Sequence, residues 1–197
     1  VTAASGVEHK EFFSEAFSKT GGYFEMVQLW VNLPAKDKMN PPRYQSLRKA
    51  NIPVIELPNS AGTVRVIAGN YQGQYGPAKT HSPLQVLDIE IQAGHKIRLP
   101  AGAGETTLIY LRTGKAQFQA EDEIFEEQGL AVMSSLEQDF EITALQQCKL
   151  LLLTGKPLQE PINGHGPFVM NNYTEILEAY DDIKRGTFIK STVRNDE

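Results

Sequence analysis

His9 and Glu11 are the residues whose types and spacing could hold a metal ion. In an extended segment, side chains two positions apart point to the same side, so an imidazole and a carboxylate there can face one ion. Mixed imidazole and carboxylate donors with open positions suit non-haem iron, and copper, manganese, nickel and zinc remain alternatives. Two donors alone make a weak site, and a His-x-Glu pair also arises by chance on exposed strands, so spacing by itself favours the bland reading. The other histidines lack such spacing. His81 sits in the loop Lys79-Thr80-His81-Ser82-Pro83, His95 follows Gly94 at a turn, and His165 lies between two glycines, where packing is a better account than ligation. Cys148 precedes an apolar strand with no histidine near it in sequence, and reads as a structural thiol. No P-loop, dinucleotide fingerprint, nucleophile elbow or zinc-knuckle spacing occurs.

The elements that must position these residues are mainly strands. A residue content that is 41% hydrophobic over 197 residues can bury a substantial core, and no apolar run approaches the roughly 20 residues of a membrane helix. A formal charge of −5 disfavours nucleic-acid binding through a basic face. The lone cysteine cannot form an internal disulfide, which fits a reducing compartment, cytoplasmic or, in a eukaryote, nuclear. Period-two patterning predicts a strand over 24–33, stopped by Pro34, with Phe24, Met26 and Trp30 in an aromatic core. Further strands are expected at 54–57, 64–68, 85–91, 96–99, 107–111, 115–120, 130–134, 140–144 and 149–153, the last covered on both faces. Glycines at 94, 102, 104, 114 and 129 punctuate the series, the pattern of an antiparallel sandwich or barrel. The acidic residues 121–123, 126 and 127 read as a solvated hairpin end. Helix is expected at 174–185, with Ile176, Leu177, Tyr180 and Ile183 on one face and Gly186 as the stop, and a short helix at 44–49; residues 191–197 read as a loose tail.

Two segments carry a family resemblance. Gln28-Leu29-Trp30-Val31-Asn32-Leu33-Pro34-Ala35-Lys36-Asp37-Lys38-Met39, followed by Pro42-Arg43-Tyr44-Gln45, closely resembles the segment joining the two barrels of pirins. Glu160-Pro161-Ile162 and Gly166-Pro167-Phe168-Val169-Met170-Asn171, with the helix after them, resemble the pirin C-terminal signature. The resemblance spans nearly the whole chain. It implies an all-β fold of the cupin type: a double-stranded β-helix (jelly-roll) barrel in a bicupin whose first barrel is incomplete here, with a short C-terminal helix. It also implies that residues 1–50 are a remnant of the metal-binding N-terminal barrel plus the connection, and that 51–197 form the second barrel, helix and tail.

The family's metal ligands are a His-x-His pair followed by a His-x-Glu pair. Gly6-Val7-Glu8-His9-Lys10-Glu11 matches the second pair, so the resemblance assigns His9 and Glu11 as ligands to one mononuclear iron, or another divalent metal, with Glu11 also able to accept a substrate proton. No His-x-His occurs in the sequence. The family layout puts it upstream of Val1, and the chain reads as an N-terminally truncated member. The implied activity is an iron-dependent quercetin (flavonol) 2,3-dioxygenase in the full-length protein, with the fragment alone inactive. The alternative is a regulatory protein that binds a transcription factor or metabolic enzyme and uses the metal as a redox sensor. Residues before about 51 would expose Val27, Leu29 and Val31 if isolated, so a companion N-terminal fragment, an oligomer or a remodelled segment is expected.

Overall fold

The period-two patterns between residues 54 and 155 become two antiparallel sheets. The computed structural model describes residues 1–118, 124–133 and 139–196. In chain order its elements are α1 (Glu15–Thr20), β1 (Arg43–Gln45), β2 (Val54–Glu56), β3 (Gly62–Ala68), β4 (Asn70–Tyr71) and β5 (Gln74–Tyr75). There follow β6 (Leu84–Ile91), β7 (Lys96–Pro100), β8 (Thr106–Thr113), β9 (Lys115–Phe118), β10 (Ile124–Glu126), β11 (Leu130–Met133) and β12 (Asp139–Ala144). The last are β13 (Cys148–Gly155), β14 (Asn163–His165), β15 (Phe168–Met170), α2 (Tyr173–Arg185) and β16 (Arg194–Asp196). The expected acidic tip at 121–123 and the strand ends at 119–120 and 134 fall outside the described residues.

The chain divides into two compact units, one built from residues 46–158 and the other from 1–45 with 159–197. In the first, a six-stranded sheet ordered β11-β8-β13-β6-β3-β2 faces a four-stranded sheet ordered β10-β9-β12-β7. Alternation decides what each strand hides. Val64 and Val66, Leu87, Ile89 and Ile91, Ile109 and Leu111, and Leu150 and Leu152 turn inward from the larger sheet, all fully buried. Ile97, Leu99, Ala116, Phe118, Phe140, Ile142 and Ala144 meet them from the smaller one. β13 breaks the alternation as expected, because Leu151 is buried on the opposite face as well. Gly114, at φ +93°, turns the chain between β8 and β9; a Cβ there would stand 2.2 Å from the Gln147 carbonyl oxygen, so only glycine fits.

The second unit holds a hairpin, β14–β15, a parallel pair, β1–β16, and both helices. Asn172 caps α2 by accepting from the Glu175 amide, Glu175 reciprocates at the Asn172 amide, and Gly186 at φ +70° ends the helix. Of the expected apolar face only Ile176 is fully buried; Leu177 and Ile183 are exposed.

Three expectations are overturned here. No strand forms over residues 24–33. β-branched and aromatic composition cannot make a strand without a neighbouring ladder, and none of the described strands supplies one. The helix expected at 44–49 is replaced by β1 and a 3-10 turn at Lys49–Asn51, because residues 43–45 find β16 as a partner. The same pairing makes a strand of Arg194–Asp196, where a loose tail was expected.

Candidate functional site

The His9–Glu11 pair lies between an anchored turn and a capped helix. Upstream, the Thr2 amide donates to the Arg43 carbonyl and the Ser5 amide to the Asn40 carbonyl. Gly6, at φ +121°, packs over Phe188, whose ring would stand 2.7 Å from a Cβ at that position. Downstream, the Ser14 hydroxyl caps α1 by accepting from the Phe17 amide at 3.2 Å. Residues 7–14 form no regular element, so the shared side is a property of an unpaired segment rather than of a strand in a barrel. His9 Nδ1 and Glu11 Oε1 are 3.9 Å apart, with the side chains 50% and 68% exposed.

The donor types fit a borderline divalent cation, imidazole nitrogen beside carboxylate oxygen. Their number does not complete a shell, and no group of three or more His, Cys, Asp or Glu able to hold a metal occurs among the described residues. The remaining histidines stay apart from the pair in role. His95 Nδ1 lies 3.3 Å from the Ala93 carbonyl oxygen, and the His165 ring meets Tyr173 and Tyr180 edge-on at 6.4 and 5.9 Å between centroids. His81 sits in the loop before β6. Cys148 is buried at the start of β13, its thiol donating to the Lys115 and Gln146 carbonyls at 3.1 Å each, and burial pushes its pKa up, as a structural thiol requires.

The aromatic stripe expected in a barrel core behaves differently. Phe24 packs against Phe13 and Phe17 at 5.1 and 5.8 Å, yet Trp30 is 64% exposed and Met26, Val27, Leu29 and Val31 are exposed with it.

The two signature segments meet around a residue that spacing did not single out. Lys38 is 5% exposed, and its ammonium donates to Asn32 Oδ1 at 2.6 Å and to the Val169 carbonyl at 3.0 Å. Burial holds its pKa below the usual lysine value, while the charges of Glu160 and Glu175 pull the other way. Glu160 accepts from the Ala35 amide and the Asn171 side chain at 2.7 and 3.2 Å, and Glu175 from the Asn171 amide at 2.9 Å. This network joins Asn32, Ala35 and Lys38 of the first segment to Glu160, Val169 and Asn171 of the second. The burial of Lys38 comes from Val169, far along the chain, so no local signal announces it.

In the unit of residues 46–158, the barrel interior is apolar, and charge sits on the outer face of the larger sheet. There Asp88 accepts from both Arg65 and Arg112, the latter at 2.9 Å. No helix among the described residues is long and apolar enough to cross a membrane.

Residues 86–189 match the pirin C-terminal cupin domain. The chain is 48% identical over 191 residues to a Pseudomonas aeruginosa protein named as a putative quercetin 2,3-dioxygenase, covering 97% of this chain and 66% of that one. It is 33% identical over 188 residues to human pirin, covering 93% and 62%. The crystal structure of a quercetin 2,3-dioxygenase from Acinetobacter baumannii superposes with a TM-score of 0.91 at 44% identity, over 95% of this chain and 65% of that one. The chain therefore spans about two thirds of the length of these relatives.

Proposed function

The chain belongs to the pirin family, as an all-β cupin protein, and we propose that in a protein of the relatives' length it forms part of an iron-dependent quercetin (flavonol) 2,3-dioxygenase. The observation that carries this reading is the His9–Glu11 pair, 3.9 Å apart, in the positions of the family's His-x-Glu motif. On this reading residues 1–50 belong to the metal-binding first barrel and its connection, and 51–197 to the second. No His-x-His pair occurs in the 197 residues, so the other donors of such a centre lie elsewhere in a protein of that length. Relatives named for quercetin oxidation support the substrate class.

Iron, when bound, supplies Lewis acidity toward the substrate's adjacent hydroxyl and keto oxygens and a route to dioxygen chemistry. His9 would hold the iron through a ring nitrogen. Glu11 would contribute a carboxylate oxygen and, as general base, accept the flavonol hydroxyl proton. Their exposure leaves both side chains reachable by ligand.

The test is oxygen uptake with quercetin by iron-loaded protein of the relatives' full length, beside the same protein carrying His9→Ala or Glu11→Gln. Turnover in the parent that falls at least about 100-fold in both variants is the expected result, the scale set by removing a ligand or a general base. No turnover under any divalent metal would instead favour the regulatory reading, in which the metal tunes a protein-binding surface.

A further inference from the structure

The inward row of the larger sheet changes character at one end of the unit of residues 46–158. Along β8 the buried positions run Leu111, Ile109, Thr107; along β13 they run Leu150, Leu152, Thr154; along β6 the same side carries Ile91, Ile89, Leu87 and then Gln85. Thr154 is the register partner of both Thr107 and Gln85, so an apolar barrel ends in a polar row across three strands. Thr107 is 1% exposed, and its hydroxyl has no hydrogen-bond partner among the described residues. Buried polar atoms left in that condition are few in folded proteins and call for an explanation.

Thr154 and Gln85 open onto a groove of about 490 Å³. Its wall also carries Tyr75, Gly102 and Glu105 and, among the described residues, no lysine, arginine or histidine. The Glu105 carboxylate folds over Gly102 so closely that a Cβ there would stand 2.4 Å from it. Half-buried, that carboxylate is given no hydrogen bond or ion pair by the described residues. A wall with one anionic acceptor and no cation repels anions. Two carboxylate oxygens fit a pair of neighbouring hydroxyl donors, the amide and hydroxyl row offers further donors and acceptors, and Tyr75 with Pro83 and Pro100 offers flat apolar surface.

We propose that this end of the barrel of residues 46–158 is a binding site for a neutral small molecule bearing vicinal hydroxyl groups on a ring. The site uses neither His9 nor Glu11 and goes beyond the metal-centred reading. Two sources share that chemistry, an aromatic diol and a sugar.

Calorimetric titration of the 197-residue chain separates them, with pyrocatechol in one arm and methyl β-glucoside in the other. Saturable one-site binding is expected in at least one arm, and that arm names the source. Glu105→Gln weakens it about tenfold, the loss of a hydrogen bond to a charged acceptor. Gly102→Ala, which crowds the carboxylate from below, lowers affinity by a second route, and Thr154→Val, which keeps shape and removes a hydroxyl from the groove wall, weakens binding while leaving the melting transition in place. His9→Ala leaves the titration unchanged, so the outcome is independent of the metal-centred reading. Absence of saturable binding in both arms, equal binding by the parent and Glu105→Gln, or loss of binding in His9→Ala overturns the proposal.

Discussion

Residues 149–153 and residues 24–33 make the same argument in sequence and end in opposite states. Both read as strands, 24–33 from its β-branched and aromatic residues and 149–153 from a short unbroken run of leucines. The first becomes part of β13, flanked by β6 and β8 along its whole length, with Leu150 and Leu152 fully buried. The second forms no strand and leaves Trp30 and its neighbours exposed. The difference lies outside each segment. A strand is stable only when its backbone donors and acceptors find a ladder and one face finds a core, and residues 46–158 carry both within one contiguous stretch.

The comparison breaks most visibly by truncating the buried side. Leu150→Ala removes a side chain from the centre of the core and is expected to cost about 3 kcal/mol, measured as a shift in the urea midpoint followed by far-UV circular dichroism.

The next effect is smaller and lies in the other unit. Lys38→Met leaves Asn32 Oδ1 and the Val169 carbonyl without their donor and is expected to cost about 2 kcal/mol, read from hydrogen exchange in α2. Its pH dependence carries a sign. Burial lowers the folded pKa of Lys38, so the unfolded chain holds that proton longer, and stability rises with pH from the lowered value up to about 10.5. The parent should gain on Lys38→Met across that alkaline window. A flat difference would mean that the ammonium is not desolvated.

Asp88→Ala removes the shared acceptor of Arg65 and Arg112 and is expected to cost roughly 1 kcal/mol in the same denaturation, because the cluster sits partly in solvent on the outer sheet face.

The smallest effect sharpens the comparison from the exposed side. Trp30→Ala should change stability by less than about 0.5 kcal/mol, as surface substitutions do. Trp30 is the one tryptophan in the sequence, so its fluorescence reports that segment alone. Red-shifted emission that acrylamide quenches freely is expected; a blue-shifted, protected signal would mean that something covers the segment.

The strands of residues 54–155 were legible because alternation, glycine turns and partner strands all lie within one stretch. The structure extends 64–68 to Gly62–Ala68 and 149–153 to Cys148–Gly155 without changing their kind. The helix at Tyr173–Arg185 was legible for a local reason, its apolar spacing and the stop at Gly186, while its cap at Asn172 emerged only in the structure. What failed depends on partners far along the chain. Nothing in Arg43-Tyr44-Gln45 announces a strand, since its partner lies at Arg194–Asp196. The burial of Lys38 rests on Val169, also remote in sequence. The candidate ligands were legible as a motif, and their nearness was too, because two residues apart is a local relation. Thr107 and Glu105 were not, since lacking a side-chain partner among the described residues is a fact of three-dimensional surroundings.

The parallel pairing of Arg43–Gln45 with Arg194–Asp196 joins stretches that flank the whole of residues 46–158. On a ribosome, the intervening barrel can therefore complete its own contacts while the later stretch is still unsynthesised. The earlier stretch must wait, its backbone donors and acceptors without that ladder, until translation delivers the strand that completes it.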